Sequence, residues 1–220
     1  MCGRFTFVVN LDDVIEQYEL NSVIDFPTRY NIAPTQDVFV VINDGKENRA
    51  GTMSWGLIPS WAKDKSMRSK MINARIETAD EKPSFKRLME RRRCLILADS
   101  FYEWKPSESG KQPVRISIKD RDVFAFAGLW DRWVNDGEEI VTCTILTKDA
   151  NEDLKDIHHR MPVILPKESE QEWIAHEIKH PTEMKEWILQ LEDEPFEYYE
   201  VDTYVNNSRH DDENCIQRLA

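Results

Sequence analysis

Strand signals dominate the middle of this chain, and stretches of helical periodicity lie before and after them. Asn10 can cap a helix running to about residue 20, with Leu11, Val14, Ile15 and Tyr18 on one face. Residues 37–42 read as a strand ended by the turn Asn43-Asp44-Gly45. Pro83 suits the first turn of a second helix to about Arg93. That helix turns Phe85, Leu88 and Met89 inward and leaves Lys86, Arg87 and the run Arg91-Arg92-Arg93 in solvent. Strands are then predicted over 94–104, 114–118, 123–130, 140–147 and 162–165, with turns at Ser109-Gly110, Asp120 and Asp136-Gly137. Helices over 168–176 and 182–191, a strand over 196–201 and a polar tail complete the chain. Antiparallel strands with helices grouped at the ends predict an α+β fold: one domain over 1–220, with a mostly antiparallel, barrel-like core and peripheral helices.

At 220 residues, with 40% hydrophobic and 32% charged residues, the chain has the composition of a globular protein with a sizeable core. No apolar run approaches the roughly 20 residues of a membrane span, and the start lacks the apolar region of a secretion signal. A cytoplasmic protein is expected, nucleoid-associated if bacterial. The cysteines Cys2, Cys94, Cys143 and Cys215 are scattered without a CxxC pair, which argues against a metal knuckle or redox motif. Neither a metal nor a cofactor is expected. The formal charge of −12 disfavours a general nucleic-acid binder. Its distribution changes that reading: between Trp61 and Arg93 there are 11 Lys/Arg against 5 Asp/Glu, and between Lys167 and Glu213 only 4 against 15. A basic stretch on an acidic chain suits a local phosphate-binding surface.

Candidate chemistry begins at the second residue. Methionine aminopeptidases remove Met before a small residue, so a mature chain is expected to begin at Cys2, with Gly3 leaving room for close approach. An α-amine and a thiol, with reference pKa values of about 7.7–8.0 and about 8.5, would then share one residue. The amine condenses with an aldehyde to an imine, and the thiol closes on the imine to give a thiazolidine. Downstream, Asn73 and Arg75 alternate onto one strand face. Glu103 ends an apolar strand among Phe101, Tyr102 and Trp104, a partly desolvated setting for general acid–base work. His158 and His159 lie in an extended segment and are expected to point to opposite sides, one into a cleft and one into solvent. Trp61, beside the basic stretch, suits stacking on an unpaired base.

The motifs Met1–Phe5, Tyr30–Pro34, Trp55–Pro59, Asn73–Thr78, Phe101–Trp104 and Ile157–Pro162, in this order and spacing, resemble the SRAP (SOS response-associated peptidase) family of abasic-site processing proteins. The resemblance spans essentially the whole chain. It implies a single α+β domain, acting as a monomer, that binds single-stranded DNA and crosslinks to abasic sites. On that resemblance Cys2 is the nucleophile and Asn73, Glu103 and His158 complete the catalytic set. DNA contact is assigned to Arg4, Asn31, Trp61, Arg75 and Arg160. His159 departs from the family, which often has Asp there. Self-removal of Met1 and a lyase branch from the imine are further implications. Two other classes fit parts of the pattern. N-terminal-nucleophile amidohydrolases also begin Met-Cys-Gly, and a non-catalytic single-strand-binding module would need only Trp61 and the arginines.

Overall fold

The strand-rich middle of the chain folds into two sheets, one of which closes on itself. The computed structural model describes residues 2–22, 24–108 and 110–219. In chain order the elements are β1 (Phe5–Phe7), α1 (Leu11–Gln17), β2 (Arg29–Ile32), β3 (Asp37–Asn43), β4 (Asn48–Trp55), β5 (Asn73–Arg75), α2 (Ile76–Ala79) and α3 (Lys86–Arg91). There follow β6 (Arg93–Ala98), β7 (Ser100–Ser107), β8 (Gly110–Ile118), β9 (Phe124–Asn135), β10 (Glu138–Asp149), β11 (Arg160–Pro162) and β12 (Ile164–Leu165). Last come α4 (Glu170–Ile174), α5 (Pro181–Gln190) and β13 (Phe196–Glu200).

Strands β10, β4, β3, β6 and β9 pair in that order, and β9 pairs back with β10 to close a five-stranded barrel. The second sheet runs β13-β8-β7-β1-β2. Pairing is antiparallel except where β10 runs parallel to β4 and β5. The predicted α+β fold with a barrel-like, mostly antiparallel core is therefore the observed one. Every residue of β6 is buried, as expected of a strand packed on both faces. Gly128 of β9 pairs with Cys94 of β6, and a Cβ there would lie 2.7 Å from the Cys94 sulfur, so close strand packing requires glycine. No helix is long and apolar enough to cross a membrane among the described residues.

Several boundaries move for physical reasons. The strand expected over 94–104 is two strands in different sheets, β6 and β7, with the chain crossing between them at Asp99. Asp99 is buried there, accepting from Thr6 Oγ1 (2.8 Å) and the Val8 amide (2.7 Å) and pairing with Arg115 (2.5 Å). The helix expected from Pro83 to Arg93 is shorter. Arg93 opens β6 and is buried, its guanidinium donating to the carbonyls of Met89, Glu90, Trp173, Ala175 and Glu177. The arginine run is thus not uniformly exposed: it ends on a residue that clamps α3 to the chain after α4. The polar tail is ordered, and its Val201, Val205 and Cys215 pack with Tyr102 in a small second core. Asn10 caps α1 as expected, accepting from the Asp12 amide at 3.0 Å. Part of the turn expected at Ser109-Gly110 lies outside the described residues.

Candidate active site

Pairing between β1 and β7 carries the chain start to its place. Phe5 pairs with Phe101 and Thr6 with Ser100, and the Tyr102 amide donates to the Arg4 carbonyl at 2.9 Å. Continued in that register, Gly3 and Cys2 run alongside Glu103 and Trp104. Phe5 anchors the segment, fully buried with its ring 5.1 Å from Trp55 and 5.4 Å from Phe126. From the barrel side, β5 lies along β10 with Asn73 beside Ile145 and Arg75 beside Thr147. Strand alternation puts Asn73 and Arg75 on one face and buries Ala74 on the other. Asn73 then donates its Nδ2 to the Cys2 carbonyl at 2.9 Å, joining residues 71 apart in sequence.

Glu103 is buried, and its carboxylate acts electrostatically on both Cys2 and His158. Cys2 is fully buried, with Sγ 3.8 Å from the Arg4 carbonyl it faces. Burial, reinforced by the Glu103 charge, pushes the thiol far above its ordinary pKa, so it rests as neutral SH. His158 Nδ1 is held by the backbone of Arg160, 2.9 Å from its amide and 3.0 Å from its carbonyl, which fixes the ring's orientation. Burial holds this imidazole below the usual histidine range, and the nearby Glu103 carboxylate partly offsets that. The expectation that the two histidines diverge fails in one respect. The segment bends, and the rings stack with centroids 4.4 Å apart. Their exposure follows the expectation, since His158 is half-buried and His159 exposed. Cys2, Asn73, Glu103 and His158 therefore meet in one place.

The residues assigned to DNA contact separate into two groups. Arg75 and Trp61 are exposed, Trp61 to 59%, and Arg75 has no hydrogen bond or ion pair among the described residues. Arg160 and Asn31 are buried, and Arg4 is half-buried, with most of their polar groups engaged by the protein. Arg160 grips Glu77 with both terminal nitrogens (2.7 and 2.9 Å), Asp149 at 2.6 Å and the Thr147 carbonyl at 2.8 Å. Asn31 Nδ2 faces the carbonyls of Val205, Asn207 and His210. Arg4 donates to Asn31 Oδ1 (2.8 Å) and to the Val205 (2.9 Å) and Asn206 (3.2 Å) carbonyls. In this arrangement Asn31 and Arg160 are buried and held by protein partners, and Arg4 is largely engaged the same way. Sequence reasoning missed Glu77. At the start of α2 it reads as an ordinary helix-dipole carboxylate, and only the fold brings Arg160 to it.

The fold and this cluster define an α+β barrel protein whose second residue is held among an amide, a carboxylate and an imidazole. Residues 1–208 match the SOS response associated peptidase (SRAP) family, and the chain belongs to that family. It is 43% identical to the abasic site processing protein YoqW of Bacillus subtilis, over 99% of each chain. It is 45% identical to YoaM of the same organism, also named an abasic site processing protein, over 95% of this chain and 94% of that one. A crystal structure of a protein from Bacteroides thetaiotaomicron superimposes over 100% of both chains with a TM-score of 0.87 at 25% identity.

Proposed function

We propose that this protein processes abasic sites in single-stranded DNA and captures them covalently through Cys2 once Met1 is removed. The observation that carries the reading is the Asn73 hydrogen bond to the Cys2 carbonyl, which holds the start of the chain against Glu103 and His158. The names of the relatives point to the same substrate. While Met1 remains, the Cys2 nitrogen is an amide and cannot attack. Once free, the amine adds to C1′ of the ring-opened deoxyribose, His158 assists proton transfer at the sugar, and loss of water gives an imine. The neutral thiol then adds across the C=N bond. Sulfur bonds to C1′, nitrogen takes up a proton, and Glu103 accepts the thiol proton and returns it. The balance is aldehyde plus amine plus thiol to thiazolidine plus water. Fixing amine, thiol and aldehyde together replaces an encounter by a local step, worth several kcal/mol in well-oriented systems. Single strands are preferred because the lesion must leave the stack to reach a buried residue. Strand cleavage by β-elimination branches from the imine, and fast ring closure suppresses it. Self-removal of Met1, with Glu103 as the helper, belongs to the same reading. One copy suffices, because all four groups come from one chain.

Incubation with an abasic single-stranded oligonucleotide, followed by a denaturing gel and mass spectrometry, tests the reading. Wild type is expected to give an adduct lighter by one water than the sum of its parts. Cys2→Ser keeps the amine but forms a much weaker ring, so strand cleavage should rise and borohydride should trap an imine. No adduct with wild type, or an undiminished one with Cys2→Ala, overturns it. Intact mass of Glu103→Gln made in aminopeptidase-depleted cells tests self-processing, and retained Met1 is expected.

A further inference from the structure

We infer that the open edge of β13 is a docking strip for an extended, basic segment of a partner protein, which adds to the second sheet as a further strand. The barrel closes on itself, and at one edge of the second sheet Asp211 takes the amides of Tyr30 and Asn31. β13 lies at the other edge, paired with β8. The Lys119 amide donates to the Pro195 carbonyl and the Val201 amide to the Pro113 carbonyl, so positions 195, 197, 199 and 201 face β8. The peptide groups of Phe196, Tyr198 and Glu200 therefore face outward. Of these, the Glu200 carbonyl accepts the Leu219 amide at 3.0 Å, and those of Phe196 and Tyr198 have no partner among the described residues. The Tyr198 side chain is also exposed. Unpaired edge groups of this kind are a template for strand addition.

The covered end of the strip shows what kind of segment fits. There Arg218 bridges antiparallel to Val201, with its guanidinium 4.7 Å from the centre of the Tyr199 ring. Lys105 stands 5.8 Å from the Tyr198 ring and Arg115 5.7 Å from that of Tyr199, so both tyrosines already receive cations. Residues 192–202 contain six Asp/Glu and no Lys/Arg. Asp193 and Glu194 are paired with Lys148 and Arg121, whereas Glu197 and Glu200 are exposed and have no ion pair among the described residues. A strand laid beside β13 places its side chains opposite these two carboxylates, where Lys or Arg is stabilising and an acid is not. The same charges reject a second copy of this chain, which would set Glu197 and Glu200 against their own kind, and they reject single-stranded DNA. Glu200 pairs with Val114 and Val114 with Glu103, so β13 lies two strand spacings, about 10 Å, from the strand that carries the active-site acid. The docking strip is independent of the proposed DNA chemistry.

The probe is an eight-residue peptide alternating lysine and threonine, blocked at both ends and titrated at low salt into the full isotope-labelled chain. The amides of Phe196 and Tyr198 should shift saturably and gain exchange protection, while those of Leu95, Ile96 and Leu97 in β6 stay in place. A peptide with glutamate in place of lysine should bind about tenfold more weakly or worse. Glu197→Lys/Glu200→Lys should reverse that preference. Tyr198→Pro deletes an outward donor at an edge position that tolerates proline, and should weaken the lysine peptide about three- to tenfold. Tyr198→Thr keeps the donor and should bind more tightly than the proline variant. The charge-reversed pair decides the matter even where proline disturbs the strand. No saturable shift at Phe196 and Tyr198, equal binding of both peptides, or an unreversed preference overturns the docking strip. So does protection of the same amides by self-association or by oligothymidylate, which would make the edge a dimer or DNA surface instead.

Discussion

At the scale of single residues, the site depends on groups that do not touch Cys2. His158 takes its orientation from the Arg160 amide, and Arg160 is fixed in turn by the bidentate pair with Glu77. Glu77→Gln leaves a buried guanidinium with Asp149 as its remaining carboxylate partner. Glu77 is itself partly exposed, so the stability cost is discounted to about 1–3 kcal/mol. Urea unfolding measures that part. The positioning role predicts something more: adduct formation should slow about tenfold or more at saturating DNA, with DNA affinity changed little, because the imidazole is misdirected and no phosphate ligand is lost. Loss of affinity at an unchanged maximal rate would instead make Arg160 a DNA contact. Much of this site was legible in the sequence. Asn73 and Arg75 follow from alternation, and Glu103 from its place in an apolar strand. The partnership of Arg160 with Glu77 was not, since residues 83 apart meet only because β11 and β5 flank the same end of β10.

Among the elements, those with long apolar runs were readable, and the short or polar ones were not. β4 carries Asn48, Arg49, Gly51 and Thr52 and lacks an apolar stripe, so its place in the barrel comes from its partners β3 and β10. β1 and β2 are only three and four residues long, too short to show a period, although β1 positions the chain start. α4 shows a different kind of hidden information, a buried acid that composition reads as solvated. Glu170 is pushed up to about 7 by burial, against the attraction of Arg121, its ion-pair partner. Between the unfolded value near 4.3 and about 7 the native state holds more protons than the unfolded chain. The free energy of unfolding should therefore fall as pH rises through that window, by about 1–3 kcal/mol for this group. Urea midpoints between pH 4.5 and 7.5 for wild type and Glu170→Gln isolate the effect, and the variant should show the shallower decline. Parallel profiles would mean that Glu170 is already ionised near pH 5 and that Arg121 outweighs its burial.

For the whole molecule, the two ends of the chain hold each other in place on the second sheet. The last turns lie over β2, where Asp211 accepts the amides of Tyr30 (2.6 Å) and Asn31 (2.9 Å) and pairs with Arg29 (2.5 Å). Arg4, two residues from Cys2, donates to tail carbonyls, and Asn31 is fully engaged by them. A tail that looks like polar solvent-facing sequence is thus part of the frame that sets Cys2 against Glu103. Asp211→Ala removes the acceptor for two backbone amides and one guanidinium, at a cost of about 1–3 kcal/mol. Because the barrel closes without β2, the loss should be local. Native-state hydrogen exchange should show the Tyr30 and Asn31 amides opening about ten- to a hundredfold more readily, while those of Leu95, Ile96 and Leu97 in β6 keep most of their protection. The abasic-site adduct should form more slowly in the same variant, since a loosened tail frees Arg4 and with it the register of the first residues against β7. Uniform loss of protection across both sheets would show instead that tail and barrel unfold as one unit, and the slower adduct would then report general instability rather than a frame around Cys2.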